Sequence, residues 1–113
     1  MNTLFLTMLA LSTTDLPQAN DAIAALRTLP VSRTALERCL SQNMISLGQN
    51  SAEPAEGLMR AARSLCQAED DTLRKTYDRM PLPPRHSTGL LERDRRVAED
   101  AAIAALLLAR TRP

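Results

Sequence analysis

The chain has 113 residues, 44% of them apolar and only 2% aromatic, with a formal charge of +1 from 14 basic and 13 acidic side chains. That length bounds it to one domain with a modest core. Balanced charge and near-absence of aromatics exclude the electrostatic footprint and the stacking platform of a nucleic-acid-binding protein. The apolar residues are mostly Ala and Leu, with few β-branched ones, and there are three glycines, so the composition favours helices over a sheet.

Thr3 to Leu11 is a short apolar run followed by the polar Ser12, Thr13, Thr14 and Asp15. A bilayer span takes about 20 residues, so the run does not cross a membrane. Its pattern is that of the apolar part of a secretory signal, although no Lys or Arg precedes it. Residues 1–19 are therefore read as a candidate signal peptide, cleaved after Ser12 or Ala19, and residues 20–113 as a single helical domain with no membrane span. The alternative is a first core helix of a cytosolic bundle, ended by Pro17. Asn20 or Asp21 then caps a short helix from Ala22 to Thr28, with Ala22, Ile23, Leu26 and Leu29 facing inward and Pro30 as its end.

Two amphipathic helices, about 33–47 and 53–80, form the central hairpin. Ser32 is the expected N-cap of the first, whose apolar stripe is Ala35, Leu36, Cys39, Leu40, Met44 and Leu47. Gly48 is its expected stop, in a left-handed turn. The second opens near Ser51 with Glu53, Pro54 and Glu56, and carries Leu58, Met59, Ala62, Leu65, Cys66, Leu73, Tyr77 and Met80. Glu69, Asp70 and Asp71 interrupt that stripe, as a solvated turn of one long helix or as the cap of a second short one. At a rise of 1.5 Å per residue, Cys39 lies about 12 Å before the end of its helix and Cys66 about 16 Å past the start of the next. In an antiparallel hairpin those heights nearly match, as a disulfide requires when its Cα atoms must come within about 7 Å. A Cys39–Cys66 disulfide is the preferred reading, with two buried free thiols as the alternative.

Pro81, Leu82, Pro83, Pro84 and Arg85 read as a stiff linker at 81–85. The last helix, about 89–110, begins after Ser87 or Thr88. It carries one stripe at Leu90, Val97, Ala101, Ala104 and Leu108 and a second at Leu91, Ala98, Ala102 and Ala105. Its first half is dense in charge, with Glu92 and Arg96 at pairing distance. Its second half is apolar all round, and such a helix is either buried or meets a partner. Ala101, Ile103, Ala104, Leu106, Leu107 and Leu108 are the candidate interaction surface, for another protein or a second copy.

Chemistry-bearing constellations are sparse. The one histidine, His86, sits in the linker, and both cysteines face the expected core, so neither a triad nor a Cys–His dyad is assembled. Structural zinc takes about four Cys or His ligands and the chain has three. Arg93, Arg95 and Arg96 could hold an anion, but local pairing with the acids from Glu92 to Asp100 accounts for them better. No catalytic residue, cofactor site or metal site is assigned, and a small all-α enzyme is the weakest reading.

The segments TALERCLSQNMISL and SAEPAEGLMRAARSLCQAEDDTLRK, about 40 residues of low-specificity motif, resemble the small secreted two-cysteine helical proteins of proteobacteria. The resemblance implies an Ala-rich hairpin with a cysteine on each arm and a periplasmic or secreted location, and it carries no activity. The sequence thus describes an all-α exported bundle, non-enzymatic, acting as an interaction or structural module. A cytosolic helical adaptor with free thiols is the alternative.

Overall fold

The computed structural model describes residues 2–112, with side chains from residue 19 onward, so the signal-peptide expectation for 1–19 lies almost wholly outside the described side chains. Among the described residues the chain is all-helical, with α1 (Asn2–Gly48), α2 (Ala55–Leu65), α3 (Gln67–Asp78) and α4 (Pro84–Thr111). None of these helices is long and apolar enough, over the described residues, to cross a membrane.

Along α1, Ala25, Leu29, Ser32, Leu36, Leu40 and Met44 are buried on one line at spacings of three and four. The line keeps its phase through Pro30, and the expected break there does not occur. Proline withholds one backbone donor, but Pro30 is on the exposed side, where water can meet the carbonyl left unpaired. Ser32 is consequently not an N-cap; it is buried mid-helix, its hydroxyl 3.2 Å from that of Thr76 on α3. Ile23 and Leu26, expected inward, are exposed, and Ala25 takes their place beside Leu29.

α1 does end at Gly48, yet no residue there has a left-handed φ. The glycine sits at a close approach: a Cβ would lie 2.5 Å from Leu58 Cδ1 and 2.9 Å from Leu106 Cδ1, so those leucine side chains would have to shift. Three helices approach one another at that point, and a side chain there would displace the leucine methyls that fill it.

Of the two readings of 53–80, the second holds: the stretch is two helices, with the break at Cys66 (φ −104°, ψ 21°) just ahead of the acidic run. Glu69 and Asp70 occupy the first turn of α3, where carboxylates suit the positive end of the helix dipole. Leu58, Met59, Ala62, Cys66, Leu73, Tyr77 and Met80 are all buried as expected. Leu65, and on α1 Ala35 and Leu47, face solvent instead.

α4 begins at Pro84, ahead of the expected 89, because proline is favoured in a first turn whose N–H would be unpaired anyway. The backbone N–H groups of His86 and Ser87 donate to the Pro83 carbonyl at 2.9 and 3.1 Å. The linker therefore shrinks to 81–83, and His86 is an exposed residue of the first turn of α4. The α2–α3 pair packs antiparallel to α1, and α4 lies against both, running parallel to α1. Arg110 fixes its far end: Nε donates to the Gly48 carbonyl at 2.9 Å and Nη2 to that of Glu53 at 2.8 Å. It thereby satisfies backbone acceptors where α1 ends.

Candidate functional site

Three places concentrate chemistry. The first is the cysteine pair. Cys39 and Cys66 lie at disulfide distance, Cα atoms 5.9 Å apart, joining α1 to the junction of α2 and α3. Cys66 is fully buried and Cys39 half-buried. Beside them opens a cleft of about 280 Å³, with Leu36, Leu40 and Cys66 as its apolar lining. Two ion pairs flank it. Arg95 holds Asp70 through two hydrogen bonds of 2.6 Å, and Arg63 pairs with Glu99. The carboxylate of Asp70 keeps the Arg95 guanidinium charged above its ordinary range, and Glu99 does the same for Arg63. The cleft walls thus present compensated charge over an apolar floor.

The second place is a buried polar triad. Asp94 on α4, its side chain 8% exposed, accepts from Arg33 Nε on α1 at 2.8 Å and from the Tyr77 hydroxyl on α3. Arg33 Nη2 donates to the same Tyr77 oxygen at 2.9 Å. Burial, and then the hydrogen bond to Asp94, push the Tyr77 phenol above the usual tyrosine range, against an opposing pull from Arg33. The triad ties three helices together, and Tyr77 also lines a second cleft, of about 230 Å³, with Arg74, Met80, Leu82, Ser87 and Leu91.

The third is the outer face of α4. Of its two stripes, Leu91, Ala98 and Ala102 are buried while Val97, Ala104 and Leu108 are exposed and Leu90 and Ala101 half-exposed. Within the predicted interaction surface, Leu106 is wholly buried against the hairpin and cannot contribute to an outward surface. Ala101 and Ile103 are half-buried, while Ala104, Leu107 (53% exposed) and Leu108 (63%) face solvent. The arginine cluster disperses: Arg95 reaches across to Asp70, not to its local acids, and Arg93 and Arg96 are exposed. Glu92 and Arg96 form no ion pair.

Sequence reasoning missed Arg33, Tyr77 and Asp94 as a unit, because they are distant in the chain and only α4's register brings them together. The one available signal was Asp94 itself, a charge one turn after Leu90 and one before Ala98 on the packed side of the helix. Compared with known proteins, the chain matches no family model, no curated protein and no solved structure.

Proposed function

We propose that the protein is an exported, non-enzymatic helical module that associates helix-to-helix through the outer face of α4. The observation that carries this reading is the outward series of exposed Val97, Ala104 and Leu108 with half-buried Ala101, spaced four, three and four. That spacing keeps one seam toward a facing helix. It is also self-complementary. In an antiparallel pair, Val97 meets Leu108 of a second copy while Ala101 meets Ala104, small residues at the centre allowing close approach. The cysteine pair supports an oxidising compartment, where such staples persist.

Sedimentation velocity of the full chain over a wide concentration range tests the association. A monomer–dimer equilibrium is expected, abolished by Val97→Glu or Ala104→Glu with helicity unchanged, since both side chains are exposed. A chain monomeric throughout, or a dimer indifferent to both substitutions, refutes it. Export is tested separately by the intact mass of the protein from its native host. A mature chain beginning at Thr13 or Asn20, with thiols alkylated only after reduction, is expected. A full-length mass with both thiols free places the protein in the cytosol.

A further inference from the structure

Glu69 is set apart from its neighbours in the acidic run. Asp70 pairs with Arg95 and Asp71 with Arg74, whereas Glu69, half-buried, has no cationic partner among the described residues. Its carboxylate faces the cysteines instead: one carboxylate oxygen and both Sγ atoms lie within 4.8 Å of one another. The backbone explains the convergence. Glu69 follows Cys66 by one helical turn, which returns it to the same side. Asn43 follows Cys39 by one turn on α1. Its amide donates to the Cys39 carbonyl at 2.9 Å, and the same nitrogen stands 3.5 Å from each sulfur.

While the sulfurs are joined, this set has nothing to bind. A dithiol reductant changes that, delivering two electrons and two protons as it closes to its own disulfide and leaves Cys39 and Cys66 as thiols. Two thiols and a carboxylate are then a donor set for a thiophilic divalent cation. Binding displaces the two thiol protons to solvent, forms two metal–sulfur bonds and one metal–oxygen bond, and leaves a fourth position for water. Zinc–sulfur bonds of about 2.3 Å at a tetrahedral angle hold two sulfurs roughly 3.8 Å apart. With the Cα atoms 5.9 Å apart and a carboxylate oxygen within 4.8 Å of both sulfurs, opening the reduced sulfurs to that separation calls for rotation about the side-chain bonds. The Asn43 amide is positioned to donate to the thiolates and stabilise their charge.

We propose that the reduced chain binds one Zn²⁺ through Cys39, Cys66 and Glu69. The ion replaces the disulfide as the clamp between α1 and the α2–α3 junction. A four-ligand Cys/His site is beyond this sequence; the carboxylate supplies the third ligand. This site is independent of the α4 face and of export, since every chain carries both thiols before it is oxidised.

The test uses the full chain, reduced with a phosphine and freed of it without oxygen, and titrated with Co²⁺ and then Zn²⁺. One Co²⁺ per chain is expected, with sulfur-to-cobalt charge-transfer absorption and the intense visible bands of a tetrahedral site, displaced by Zn²⁺. Zn²⁺ should raise the melting temperature of the reduced chain while its helical circular dichroism is retained, and the oxidised chain should show none of this. Glu69→Gln, which keeps both thiols and the disulfide, should bind Zn²⁺ about tenfold or more weakly. Absence of the charge-transfer band, one ion shared by two chains, an unfolded zinc-bound chain, or unchanged affinity in Glu69→Gln each overturns the proposal.

Discussion

Asp94→Ala tests the triad most directly. The Tyr77 hydroxyl is buried and would lose its acceptor, a loss of about 1–3 kcal/mol for a donor left unsatisfied. Arg33 is 40% exposed, so its guanidinium can regain water, and its share is discounted to about 1 kcal/mol or less. Asp94→Ala should therefore destabilise by about 1–4 kcal/mol. Asp94→Asn keeps one carbonyl acceptor and the side-chain volume, and should lose about half of that. Tyr77→Phe removes the other end of the same hydrogen bond, so the two substitutions share one loss. Their coupling in a double-mutant cycle should be about 1 kcal/mol or more. Urea denaturation of the oxidised chain, followed by far-ultraviolet circular dichroism, measures all of these through shifts of the midpoint at constant slope. An Asp94→Ala loss below about 0.5 kcal/mol, or strict additivity with Tyr77→Phe, would refute the claim that the triad holds the three helices.

Two adjacent leucines should behave oppositely: Leu106→Ala should cost about 2–5 kcal/mol through lost burial and a residual cavity, while Leu107→Ala stays within about 0.5 kcal/mol. Equal losses in equilibrium denaturation would show that α4 is rotated. Tyr77 is the one tyrosine in a chain without tryptophan, so near-ultraviolet phenolate absorbance titrates it alone. Its raised value means that the folded state holds the proton more tightly than the unfolded one. The stability so conferred is intact below about pH 10, the unfolded value, and is lost as pH rises through the folded one. A folded-state midpoint at or below that of a denatured control contradicts this. Pro30→Ala restores a helical donor on an exposed face and should stabilise the oxidised chain by about 1–3 kcal/mol, less the unfolded-state entropy regained. A lower melting temperature would show that proline at this position is needed for packing.

The helical class, the hairpin and the cysteine pairing were legible because each rests on short-range periodicity and on counting along a helix axis. Leu36, Leu40, Met44, Leu58, Met59 and Leu73 announce their burial through spacing alone. Errors arose where a local rule met tertiary packing. Pro30 and Gly48 carry strong local signals, yet one is absorbed by a long helix and the other serves clearance between helices. Along α4 periodicity offers two stripes with no preference between them, and the choice of Leu91, Ala98 and Ala102 is made by the hairpin's surface. The candidate site was half legible: the cysteines could be paired by height, but Glu69 was read with its acidic neighbours as a solvated turn or cap and not with Cys66, one turn before it.

The ion pairs that α4 makes with the hairpin alternate in sign, and that alternation works as a key. Arg95 meets Asp70 and Glu99 meets Arg63, so α4 offers a cation and, one turn later, an anion to a partner surface arranged in the opposite order. Sliding α4 by four residues, about 6 Å, in one direction sets Arg95 against Arg63. Sliding it the same distance in the other sets Glu99 against Asp70. Each misplacement exchanges two attractions for at least one repulsion, a swing of roughly 2 kcal/mol for pairs of this exposure. Each pair adds little to stability by itself. Together they penalise slippage in both directions along an alanine-rich helix whose smooth surface would otherwise permit it.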